Sequence, residues 1–130
     1  MNKKKLTRYG SIILNLISEN DVFLSAQEIY LKMRELSYPV GLATIYRQLQ
    51  VLLDNHLIDA IKSESGEVIY KQCKKTSHHH HVICIKCGKS QEILEPEIEL
   101  WTRRVAKKLG YLPMNHTIEI FGHCQQCQTP

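Results

Sequence analysis

Two Cys-x-x-Cys pairs, Cys84–Cys87 and Cys124–Cys127, constrain this chain more than any other feature. Each pair aims two thiolates at one point, and two such knuckles complete a closed tetrahedral zinc site of four sulfurs. A metal held that way draws residues near 125 back onto those near 85. Gly88 follows the first knuckle and Gly122 precedes the second, where the backbone has to turn tightly. Four thiolates leave no open coordination position, so the site they form is expected to be structural rather than catalytic. No export signal or membrane-spanning apolar run is evident, which points to a reducing cytosol and to metal ligation rather than disulfides. An odd total of five cysteines agrees with that.

Just ahead of the first knuckle stand Cys73 and four consecutive histidines, His78 to His81. Successive side chains of a strand point to opposite faces. His78 and His80 therefore share one face, and His79 and His81 the other. One short strand offers two bidentate metal grips facing opposite ways, and each needs partners. Cys73, Asp59, Glu99 and His116 are the candidates; the two remaining histidines, His56 and His123, stay unassigned.

Upstream of these ligands the pattern is helical. Thr7 caps a helix with Ile12, Ile13, Leu16 and Ile17 on its apolar stripe. Ser25-Ala-Gln-Glu28 is a capping box opening a second helix, continued by Ile29, Met33 and Leu36. A Pro- and Gly-containing turn at Ser37–Gly41 leads to a third helix over Leu42–Asn55, buried through Ile45, Leu49, Leu52 and Leu53. Leu57–Ile61 and Val68–Lys71 read as a hairpin, which makes the module a winged helix-turn-helix. Beyond Lys71, strands are expected over His78–Ile85, Ser90–Leu94 and His116–Phe121, with a helix opened by Pro96 and ended by Gly110. The fold class is α+β: a winged helix-turn-helix DNA-binding domain over 1–72, a hinge over 73–77, and a small α/β metal-binding domain over 78–130.

Net charge does little to identify a partner. The formal excess is +4, and residues 1–70 are neutral, with eight basic against eight acidic side chains. The case for nucleic acid is local. Opposite its buried stripe the third helix presents Ala43, Arg47 and Gln50, with Tyr46 at the edge. Arg grips guanine and Gln grips adenine bidentately in the major groove.

These motifs together resemble the ferric uptake regulator (Fur) family across nearly the whole chain. The resemblance is carried by A-Q-E-I-Y at 26–30, A-T-I-Y-R-Q-L at 43–49, the His-rich strand with its knuckle, and H-T-I-E-I-F-G-x-C-x-x-C at 116–127. Cys73 placed eleven residues before Cys84, and E-x-W at Glu99–Trp101, are most similar to the zinc uptake regulator branch.

The resemblance implies a dimeric, zinc-responsive repressor that binds double-stranded operator DNA, with 78–130 as its dimerisation domain and up to three zinc ions per subunit. A structural ion falls to Cys84, Cys87, Cys124 and Cys127. A sensing ion falls to Asp59, Cys73, His79 and His81, and a further regulatory ion to His78, His80, Glu99 and His116. Thr44, Tyr46, Arg47 and Gln50, with Arg8 from the first helix, become the DNA-facing set. One departure stands out: the family commonly carries Arg where this chain has Gly10.

An iron or peroxide sensor of the same family is the nearest alternative, and the soft Cys73 ligand counts against it. A zinc hydrolase would need an open metal position and a general base. A zinc buffer would leave the winged helix unexplained. Neither a membrane nor a small-molecule substrate is expected.

Overall fold

The structure is a computed structural model, and it describes residues 6–72 and 79–128. The chain runs α1 (Arg8–Glu19), β1 (Leu24–Ser25), α2 (Ala26–Glu35), α3 (Leu42–Asp54), β2 (Asp59–Lys62), β3 (Val68–Lys71), β4 (His80–Cys84), β5 (Ser90–Ile93), α4 (Pro96–Lys108) and β6 (Glu119–Gly122). A short 3-10 turn, Gln125–Cys127, follows.

Local chemistry starts the helices where expected. The Thr7 hydroxyl accepts the Gly10 N–H, and Ser25 and Glu28 exchange both bonds of a capping box. Each cap satisfies backbone donors that the first helical turn leaves without partners. The stripes then converge. Thirteen buried side chains, among them Ile13, Ile17, Ile29, Met33, Ile45, Leu49, Leu52, Ile58 and Tyr70, form one cluster beneath the three helices and the first sheet. That sheet is antiparallel in the order β1-β3-β2, with Asp59 opposite Lys71 and Leu24 opposite Tyr70. Three helices and this hairpin make a winged helix.

The second sheet has the order β5-β4-β6, with β4 antiparallel to β5 and parallel to β6. Its interior is thin: Ile83 and Cys84 are its buried apolar residues among those described, and no residue of α4 is buried.

Several expected bounds shift, each for a local reason. The strand expected from Leu57 begins at Asp59, because His56 turns the chain out of α3 with φ 57 and Leu57 still donates to the Leu52 carbonyl. The strand expected from His116 begins at Glu119, and His116 lies in the irregular segment before it. The two-residue β1 was not expected at all. Cys73 and His78, together with the hinge expected over 73–77, lie outside the described residues.

Candidate metal centres and the DNA-facing helix

Cys84 closes β4, and the parallel pairing of β4 with β6 sets it opposite Gly122, two residues before Cys124. That register brings the knuckles together. Cys87 Sγ lies 3.7 Å from Cys124 Sγ, and the four sulfurs all fall within 4.8 Å of one another. A tetrahedron with zinc–sulfur bonds of about 2.3 Å has edges of roughly 3.8 Å, so the donors fit. Gly88 holds φ +79, and a Cβ there would stand 3.0 Å from the Phe23 carbonyl; the knuckle closes in this way only with glycine.

All four thiols are free of disulfides. Backbone N–H groups of Cys124 and Cys87 pull the Cys84 thiol down to about 5. Side-chain hydrogen bonding with Cys124, followed by burial, pushes Cys127 up to about 12. Sulfurs packed this closely resist becoming thiolates together until a cation shares the charge.

The alternation of β4 divides the histidines. His79 and His81 turn toward the wing, where Asp59 begins β2. His79 Nε2 lies 2.8 Å and His81 Nε2 3.9 Å from Asp59 Oδ2, with the two rings edge to face at 4.8 Å. The His81 pKa is lowered by burial first and by its neighbour His79 second. Near neutral pH that keeps its ring uncharged, the form in which imidazole ligates a metal. Two imidazoles and a carboxylate suit a divalent transition metal; Asp59 opens β2, His81 lies on β4, and His79 immediately precedes β4.

His80 turns the other way and is almost fully buried. Its Nε2 lies 2.9 Å from Glu99 Oε1, and His116 Nε2 lies 2.9 Å from Glu99 Oε2. Glu99 sits in the first turn of α4, as expected, and His116 joins the cluster from the loop rather than from a strand. His80 Nδ1 accepts the Ile118 N–H at 3.0 Å, which leaves Nε2 to donate its proton to Glu99. This group is satisfied as a hydrogen-bonded network before any cation enters. Its donor types fit a cation, and taking one there displaces that proton. Among the described residues all three groups bring their donor atoms within 4.8 Å of one another, and neither Cys73 nor His78 is needed to see them.

On α3, Ile45, Leu49 and Leu52 face the core while Tyr46, Arg47 and Gln50 are exposed. Arg47 Nη2 donates to Thr44 Oγ1 at 3.0 Å, and Gln50 Nε2 donates to Asp54 Oδ1 at 2.9 Å. Arg8 is exposed at the start of α1, its guanidinium 5.9 Å from the Tyr9 ring. Gly10 is buried, and a Cβ there would stand 2.8 Å from Gln48 Oε1, which also accepts from the Thr7 hydroxyl at 2.9 Å. Position 10 is thus a packing point between α1 and α3. Sequence alone missed Gln48, although its place in the turn after Tyr46 and Arg47 was visible.

Residues 2–121 match the ferric uptake regulator family. The chain belongs to that family. It is 39% identical over 123 residues to the zinc uptake regulation protein of Mycobacterium tuberculosis, covering 95% of this chain and 94% of that protein. It is 33% identical over 117 residues to the ferric uptake regulation protein of Neisseria gonorrhoeae, covering 89% and 81%. A solved zinc uptake regulator complexed with zinc and DNA superposes with a TM-score of 0.75 at 28% identity, covering 95% and 83%. This Fur-family chain is accordingly a metal-responsive regulator, not an enzyme. No helix among the described residues is long and apolar enough to cross a membrane.

Proposed function

We propose that this protein is a zinc-responsive transcriptional repressor that binds operator DNA as a metal-loaded homodimer and controls zinc uptake genes. The observation that carries this is the Asp59–His79–His81 cluster, whose carboxylate belongs to the winged helix and whose imidazoles lie just before and within β4 of the second sheet. Resemblance to a zinc uptake regulation protein, and to a zinc uptake regulator solved with zinc and DNA, supports both the metal and the partner.

The domains are 1–72 for DNA binding, 73–77 as hinge and 78–130 for dimerisation and metal. Cys84, Cys87, Cys124 and Cys127 hold the structural ion. Asp59, His79 and His81, with Cys73, hold the sensing ion; His80, Glu99 and His116, with His78, hold the regulatory one. Zinc at the sensing residues supplies a cross-link between the winged helix and the second domain.

The chain's own residues do the rest. Asp59 and the Cys73 thiolate balance a divalent charge, and the thiolate favours zinc over ferrous ion. α4 exposes Leu100, Trp101 and Val105, continued by Leu109, Tyr111, Leu112 and Met114, an apolar surface that a second copy covers. With the dimer fixed, the setting of each winged helix on its second domain decides whether two α3 helices match half-sites on one face of the DNA. There Tyr46, Arg47 and Gln50 meet base edges, and Thr44 and Arg8 the backbone. Four free thiols require a reducing compartment, consistent with the cytoplasm.

Replacing Asp59 or His81 with Ala tests the proposal. Zinc-dependent DNA binding disappears while the dimer and its structural zinc remain. DNA binding that still answers zinc in both variants sinks it. Iron sensing is the second reading, favoured by the similarity to the gonococcal ferric uptake regulation protein.

A further inference from the structure

A seam that uses none of the metal ligands' donor atoms also joins the winged helix to the second sheet, and it runs beside the Asp59 cluster. Phe23, between α1 and β1, donates its N–H to the Gly88 carbonyl at 3.0 Å, and Val22 forms an antiparallel bridge with Lys89. Lys71, the last residue of β3, crosses the same seam. Its ammonium donates to Ser90 Oγ at 2.7 Å and pairs with Asp21 at 3.3 Å. The Lys71 side chain is only 12% exposed, whereas Asp21 is 88% exposed. Ser90 is 6% exposed and so is the partner inside the seam.

Position gives these contacts a consequence. Lys71 stands opposite Asp59 in the β2–β3 pairing, and Ser90 stands opposite Ile83, on the strand that carries His81. One hydrogen bond therefore ties the strand pair that offers the carboxylate to the strand pair that offers the imidazole. Phe23 fills the gap between them, its ring 5.2 Å from that of His81 and 5.9 Å from the Lys71 ammonium. An ammonium taken from water is costly unless its donors are met. A lysine held here stabilises the closed seam only while Ser90 and Asp21 face it.

We propose that Lys71 is a positioning residue for the metal response: by holding Ser90 it keeps the winged helix against the second sheet before metal binds, so that Asp59 already faces His79 and His81. Its role rests on those three residues being the sensing cluster. Two effects of Lys71 oppose each other. Its charge repels an arriving cation, and its hydrogen bond removes part of the ordering cost of bringing two domains together. The solvent-exposed Asp21 screens that charge only in part, and we take the ordering effect to be the larger.

The test uses the full-length dimer with its four-cysteine site loaded with zinc. Cobalt(II) titrated into the sensing cluster is followed by its absorption, and hydrogen exchange of the Phe23 amide reports the seam directly. Ser90→Ala breaks the bond without changing charge, and Lys71→Met removes bond and charge together. Both speed Phe23 exchange and weaken cobalt binding by about tenfold, the low end for loss of a group supporting metal ligands. The double variant is no worse than either single one, and Ser90→Thr restores parental behaviour. Unchanged exchange at Ile29 and Leu49 shows that the winged helix stays folded. Parental Phe23 exchange and cobalt affinity in Ser90→Ala overturn the proposal, as does tighter cobalt binding by Lys71→Met. If Asp59→Ala leaves cobalt uptake unchanged, the sensing assignment fails instead, and Phe23 exchange still decides whether Lys71 closes the seam.

Discussion

Cys84→Ser is expected to unfold the second domain and leave the winged helix folded. The winged helix rests on thirteen clustered buried side chains. Among the described residues the second sheet buries only Ile83 and Cys84 as apolar groups, and α4 buries none. At about 1.5–3 kcal/mol for each fully buried large apolar side chain, two such residues contribute at most about 3–6 kcal/mol, and Cys84 is smaller than that range assumes. Structural zinc in small peptides supplies about 10–16 kcal/mol, so a zinc on the four cysteines, as proposed, outweighs that core. Removing one thiolate, on the central strand and at the point where β4 hands the chain to the knuckle, takes most of that away. The apolar face of α4 then has no fixed partner surface, and the dimer dissociates. Amide exchange resolved by residue, alongside sedimentation and metal content, measures all three consequences. Exchange protection is lost over 79–128, retained within about twofold over the helices of 6–72, and one zinc per subunit disappears. A Cys84→Ser protein that stays dimeric, keeps its zinc and retains protection in β4 and β6 refutes the reasoning.

Other outcomes follow from the same geometry. Glu99→Ala or His116→Ala breaks a network that is complete without metal, so zinc-dependent DNA binding shifts its threshold by a few-fold rather than ending; a full loss in a zinc titration contradicts that. Cys73→Ala abolishes the zinc response with the dimer intact, read by anisotropy on labelled DNA beside sedimentation. Arg47→Ala costs about 1–3 kcal/mol and relaxes preference at one operator position if it grips a base; a uniform loss over all sequences makes it a phosphate contact. Arg8→Ala lowers the salt dependence of DNA binding by about one counterion, without changing sequence preference.

Much of this architecture was legible because its signals are local. Thr7, the Ser25–Glu28 box, Pro96 and Gly110 mark helix ends through bonds spanning a few residues, and each lies where the sequence places it. The odd and even histidines separate for an equally local reason, strand alternation, and β4 sends His80 to Glu99 and its two neighbours to Asp59. What stayed hidden depends on contacts between distant segments. β1 is two residues long and exists because β3 supplies its partners. His116 leaves the strand because its ring is drawn to Glu99 while Ile118 donates to His80. The meaning of Gly10 required Gln48 from α3, and the importance of Lys71 required Ser90 from another sheet. No periodicity in the sequence encodes such pairings.

The most direct test of the central claim is DNA binding by the dimer, with its four-cysteine site loaded, measured against buffered free zinc, ferrous iron and manganese(II) on a duplex selected by the loaded protein. The account predicts that zinc drives binding at free concentrations well below those at which the other two act, and that Asp59→Ala removes this response. Binding driven by ferrous iron or manganese at equal or lower free concentration, or binding indifferent to every metal, contradicts it.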